Sequence, residues 1–112
     1  MDLKYIYKIC TKTEWLEAKK KGKFYGSNKD QEDGFIHFSN KDQLKGTLNK
    51  YFLNQRDLVL LKIEALKLEN LIYEQSSDGN IFPHLYSYLN ILHVCNEYEI
   101  NIDEKGNHTF SI

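Results

Sequence analysis

Apolar residues along the chain come in short runs, and their spacing alternates between the two-residue period of a strand and the longer period of a helix. Tyr5, Ile6, Tyr7 and Ile9 predict a first strand over Lys4 to Cys10. Thr11-Lys12-Thr13-Glu14 is a capping box, with Thr11 able to cap and Glu14 to reach back. The helix it opens carries Trp15, Leu16 and Ala18 and ends in Lys19-Lys20-Lys21-Gly22, cations at the negative end of the dipole and Gly as the stop. Residues 23–34 read as polar and irregular, and Asp33-Gly34 as a turn that launches Phe35-Ile36-His37-Phe38. Ser39 is the expected N-cap of a second helix, with Leu44, Leu48, Tyr51 and Phe52 at helical spacing. Asp57 to Glu64 has the continuous apolar run of a central strand buried on both faces. Leu71 to Glu74 is another short strand, Ser76 to Asn80 a loop, Phe82 to Tyr86 a second irregular aromatic segment, and Ile91 to Val94 a strand. The tail alternates through Tyr98, Ile100 and Ile102, turns at Asp103 to Asn107, and returns with Phe110 and Ile112 as a hairpin. Two main helices among six or seven strands make an α+β domain.

With 112 residues the chain is one domain, 1–112. At 41% hydrophobic and a net charge of −1 it is too apolar for a disordered chain and large enough for one real core. The balanced charge supports neither nucleic-acid nor membrane-surface binding. Fourteen of the fifteen basic residues are Lys; the one Arg is Arg56. A phosphate site must therefore lean on Lys, backbone N–H groups or Arg56. Cys10 and Cys95 make no disulfide framework and no C-x-x-C occurs, so both are expected as reduced thiols in a cytoplasmic protein. No apolar run approaches the roughly 20 residues of a membrane helix, and Met1-Asp2-Leu3-Lys4 lacks a signal peptide's apolar run.

A few residues suggest chemistry. His37 sits at a strand end running into a helix start, a place where anions bind; its plainer reading is a buried histidine bonded to backbone, with Ser39 merely capping. Glu74 closes an apolar strand, where a carboxylate is paired, functional, or simply at a wet edge. His84 and Tyr86 flank Leu85 after the only Pro, so extended backbone puts both on one face; the alternative is a rigid plug with Phe82, Leu85 and Tyr88 in the core. The four histidines lack metal-ligand spacing, so no metal is expected, and no G-x-S-x-G elbow is present. Nothing marks either Cys as an activated nucleophile. Only one of the two His-x-Thr/Ser motifs of a two-histidine phosphoesterase is present, at His37-Phe38-Ser39.

Two blocks are distinctive. One runs from Ile6-Tyr7-Lys8-Ile9 through Trp15, Ala18 and Gly22 to Asp33-Gly34-Phe35-Ile36-His37-Phe38-Ser39, with Gln43 and Thr47. The other runs from Leu58-Val59-Leu60-Leu61 through Tyr73-Glu74 to Phe82-Pro83-His84-Leu85-Tyr86. Together they resemble, from about Tyr5 to Val94, the small bacterial and plant family catalogued as domain of unknown function 952. The resemblance implies an ADP-ribosyltransferase-like fold, a split, mostly antiparallel β-core around a nicotinamide-nucleotide cleft. It implies a ligand-binding role for Lys8, Ser39, His84 and Tyr86, ring stacking by His37, and Glu74 with His37 as the catalytic pair. Glu97 and Glu99 are rivals for the acidic role. Two departures stand out: Lys8 replaces the His or Arg of such enzymes, and Ser76-Ser77-Asp78-Gly79 has no Arg, with Asp78 set to repel a pyrophosphate.

Three functions follow as expectations. The first is an NAD-using transferase or glycohydrolase, with a carboxylate stabilising an oxocarbenium-like state as nicotinamide leaves. The second is a non-catalytic module that binds a nucleotide-like small molecule. The third is an interaction protein with an incidental pocket. The first two require His37, Glu74, His84 and Tyr86 to converge. Fold resemblance alone assigns no activity.

Overall fold

The computed structural model describes residues 4–112. The start at Met1, read above for a signal peptide, lies outside the described residues. Strand β4 (Leu58–Glu64) organises the rest. It pairs antiparallel with β1 (Tyr5–Thr11) on one side and β8 (Val94–Ile102) on the other, and β9 (His108–Thr109) extends the sheet. The run buried on both faces is thus the centre of a four-stranded sheet, as its composition predicts.

Alternation along β4 divides the core. Val59, Leu61 and Ile63 face one cluster, with Ile6 and Cys10 of β1, while Leu58 and Leu60 face a second, with Tyr7 and Ile9. Helix α1 (Lys12–Lys21) packs Trp15 and Ala18 into the first cluster, and α3 (Leu44–Tyr51) packs Leu44 and Leu48 into the second. The α1 capping box is present: Glu14 N–H donates to Thr11 Oγ1 at 3.0 Å and Thr11 N–H to Glu14 Oε1 at 2.8 Å. Gly22 ends the helix at φ 77°.

A three-stranded antiparallel sheet closes the first cluster, in the order β3 (Ile36–His37), β6 (Ile81–Leu85), β5 (Leu71–Gln75). A two-stranded pair, β2 (Lys23–Phe24) with β7 (Leu89–Asn90), completes it. The class is α+β, with nine strands and three α-helices among the described residues; four of the strands are two residues long.

Four local expectations are corrected. Residues 23–34 are not irregular: β2 and α2 (Asn28–Asp33) occupy them. Ser27 caps α2 through a second capping box with Asp30, and Gly34 ends it at φ 85°. The second predicted helix starts from Asn40 rather than Ser39. Asn40 N–H donates to Gln43 Oε1 at 2.9 Å over a 3₁₀ turn, Lys41–Gln43, that leads into α3. Phe82 to Leu85 is regular strand despite Pro83. Phe38 N–H donates to Pro83 C=O at 3.0 Å, so the proline's missing N–H falls on the side where the short β3 ends, and the ladder to β5 is spared. Ile91–His93 is a 3₁₀ turn, and the strand expected there begins only at Val94.

Candidate functional site

In a strand pair, residues opposite each other share a face, and every second residue joins them. His37 is opposite His84, and Glu74 is opposite Phe82. Phe35, His37, Glu74, His84 and Tyr86 therefore lie on the outer face of the small sheet, while Ile36, Phe38, Pro83 and Leu85 point into the core. The four side chains whose convergence was the discriminator are together.

Two imidazole–carboxylate groups meet there. Glu74 Oε1 accepts from Tyr86 O–H at 2.5 Å and faces His84 Nδ1 at 2.9 Å. Those two hydrogen bonds, the tyrosine's being the larger influence, hold Glu74 below the usual carboxylate range. The same contact pushes the Tyr86 phenol up. Glu74 is 39% exposed, and no described residue meets its Oε2. It is an ionised acceptor with one oxygen anchored and one open.

The second group is buried. Lys8 lies on the β1 face that also carries Ile6 and Cys10, so its ammonium needs a partner. Asp30, 2% exposed, supplies it: Lys8 Nζ is 2.8 Å from Asp30 Oδ2 and donates to His37 C=O at 2.9 Å. Asp30 also accepts from Ser27 N–H, His37 N–H and the His37 ring, whose Nδ1 is 2.5 Å from Oδ1. Burial alone would raise its carboxyl; the His37 bond and the Lys8 charge outweigh it and hold Asp30 far below the usual range. His37 Nε2 faces Asp33 Oδ2 at 3.0 Å. Both ring nitrogens thus meet carboxylate oxygens, which fixes the orientation of the ring.

The rings join the two groups. Phe35 stacks on His84 at 4.1 Å and 23°, with His37 at 4.6 Å and Tyr86 at 5.2 Å. His37 meets His84 edge-on at 5.4 Å. The phenylalanine fills the centre, and the polar groups form a rim around it.

Of the predicted site residues, His37, Glu74, His84 and Tyr86 share this face. Lys8 lies beneath it, sequestered by Asp30. Ser39 is held elsewhere: its backbone bridges Tyr7, and its hydroxyl is 3.1 Å from that of Thr47. Glu97 is on β8, 3.6 Å from Lys19, and borders two shallow recesses of about 390 and 460 Å³; Glu99 borders the second. Cys10 is buried, which pushes its thiol up to about 12, so it is no nucleophile; Cys95 donates to Lys62 C=O at 3.3 Å. Among the described residues no three His, Cys, Asp or Glu form a metal-binding group. No helix among them is long and apolar enough to cross a membrane.

Sequence reasoning missed Asp30, Asp33 and the central place of Phe35. The available signal was Ser27-Asn28-Lys29-Asp30, which has the spacing of a capping box, followed by Gly34 as the stop.

Comparison with known proteins agrees on kinship. The model of the family described as protein of unknown function (DUF952) matches residues 9–97. A crystal structure of protein CC0527 from Caulobacter crescentus is similar at 43% identity and TM-score 0.89, covering 94% of this chain and 93% of that one. The solution NMR structure of the same protein is similar at 44% identity and TM-score 0.83, covering 92% and 90%. No curated protein matches.

Proposed function

Since the chain belongs to the DUF952 family, whose description assigns no activity, we propose a function from the geometry of the histidine face: it binds a nucleoside-type small molecule, with Glu74 as the carboxylate that receives the ribose. The single observation that carries this is the Glu74 carboxylate, ionised, anchored through Oε1 by His84 and Tyr86, and open at Oε2. A carboxylate so placed is a ready acceptor for a ribose hydroxyl. Phe35 and Tyr86 supply aromatic surface beside it.

The reaction such a site would run is N-glycosyl cleavage of an NAD-type substrate. The bond between ribose C1′ and the nicotinamide nitrogen breaks and the electron pair leaves with nicotinamide. Glu74 steadies the positive charge that develops on the ribose, and water or another nucleophile takes its place at C1′. We read the division into a four-stranded and a three-stranded sheet as the split core of an ADP-ribosyltransferase-like fold. His37, with both ring nitrogens engaged by carboxylates, acts in this reading as a fixed wall beside His84. Lys8 positions His37 from below. The second reading, a binding module without turnover, is favoured by that same engagement of His37, whose two ring nitrogens are both taken by Asp30 and Asp33.

Ligand-observed NMR with nicotinamide, nicotinamide riboside and NAD tests the proposal. Saturation transfer is expected to the riboside and to NAD, and is expected to be lost in Glu74→Gln. No transfer to any of the three would overturn nucleoside binding. Transfer without release of nicotinamide over hours would leave the binding module.

A further inference from the structure

Lys8, the cation beneath the histidine face, is buried against Asp30 and cannot meet a phosphate in solvent. Two other lysines stand where it could not. Lys29, on α2, has Nζ 3.4 Å from Asp33 Oδ2, the same oxygen that faces His37 Nε2. Lys50, on α3, has Nζ 3.9 Å from Asp78 Oδ2 in the turn between β5 and β6, four residues after Glu74. Both ammonium groups lean on one ring, that of the exposed Tyr51, at 6.0 and 5.2 Å from its centroid.

Resting on the nucleoside reading above, we infer that Lys29, Tyr51 and Lys50 form an anion subsite of the same face, and that the ligand is a phosphorylated nucleoside. Both ammonium groups lie beside the Tyr51 ring, each held only by a half-exposed carboxylate, so either can turn to an anion at that ring. Their present partners can release them. Asp33 keeps His37 Nε2, and Asp78 keeps the Ser76 hydroxyl and the Asn80 N–H. A phosphate that takes over the two lysines therefore orphans neither carboxylate. Asp78, which repels a pyrophosphate when read in sequence alone, is instead the group that brings Lys50 to the edge of the site. A nucleotide lying along the strip has its ribose at Glu74 and its phosphate toward the two lysines.

The test titrates nicotinamide riboside, nicotinamide mononucleotide and NAD into wild type and into Lys29→Gln/Lys50→Gln. In wild type at low salt the mononucleotide is expected to bind about fivefold or more tighter than the riboside, with that advantage shrinking as ionic strength rises. In the double variant the advantage disappears while riboside affinity stays, which also shows that the variant is folded. Equal binding of riboside and mononucleotide by wild type overturns the subsite and leaves the nucleoside reading standing. So does an advantage that survives in the variant. Binding of none of the three overturns the nucleoside reading and the subsite with it.

Discussion

Two carboxylate–histidine pairs lie one ring contact apart, and burial separates their roles. Asp30 is surrounded by donors from β1, α2 and β3 and joins those elements; it is the clamp of the face. Glu74 holds His84 and Tyr86 with one oxygen and offers the other. A buried charge is costly to leave unpaired and so serves architecture, whereas a half-exposed one exchanges partners easily and is free for a ligand. The same residue types, a few ångströms apart, therefore divide into a buried support and a half-exposed carboxylate with one oxygen open.

The sharpest way to break this contrast is to remove the clamp. Asp30→Ala leaves Lys8 buried without its partner and is expected to cost roughly 3–5 kcal/mol, read from urea unfolding. A loss under about 1 kcal/mol would mean that the pair is not structural. Replacing both partners with apolar residues, Lys8→Met with Asp30→Leu, should recover much of that loss. Next in size is Gly26→Ala. A Cβ there would sit 2.6 Å from the Asp30 Cβ and 3.0 Å from its Oδ2, on backbone at φ +95°, so about 2 kcal/mol of destabilisation is expected from a change that removes no charge. A neutral result would show that the Ser27–Asp30 box tolerates movement.

Acid then separates the pairs. The folded Asp30 carboxyl lies below its unfolded value, so the stability it contributes is complete above the unfolded value, near pH 4, and drains away as pH falls further. Asp30→Asn should flatten this acid limb of the stability profile; an unchanged limb would assign acid sensitivity to other carboxylates. The smallest effect is local. Tyr86→Phe removes the leading influence on Glu74, so the Glu74 carboxyl should titrate higher, closer to the ordinary range, in a carbon-detected NMR titration. No movement would detach Tyr86 from the site.

Legibility in the sequence followed the range of each interaction. The α1 box at Thr11 and Glu14 and the apolar run of β4 are local patterns, and both appear as read. The common face of His84 and Tyr86 follows from alternation alone. Phe82–Leu85, expected as irregular, is regular strand, and the short reach of β3 makes Pro83 tolerable there. Ser39 enters the site only through the family resemblance; β3 ends at His37, and beyond it the Ser39 backbone bridges Tyr7 of β1 while its hydroxyl meets Thr47.

By itself, then, the sequence determined which residues share a face and where helices start and stop, because periods and caps act over two to four positions. It also carried the family's pair of histidine-bearing blocks. Tertiary structure decided the rest. Asp30 reaches Lys8 across twenty-two positions, Lys50 reaches Asp78 across twenty-eight, and Tyr51 gathers lysines from two helices. No spacing rule announces such meetings. They arise because burying Lys8 among apolar neighbours obliges the fold to bring it a carboxylate, which ties α2 to β1 and β3, and because α3 packs its leucines against β4.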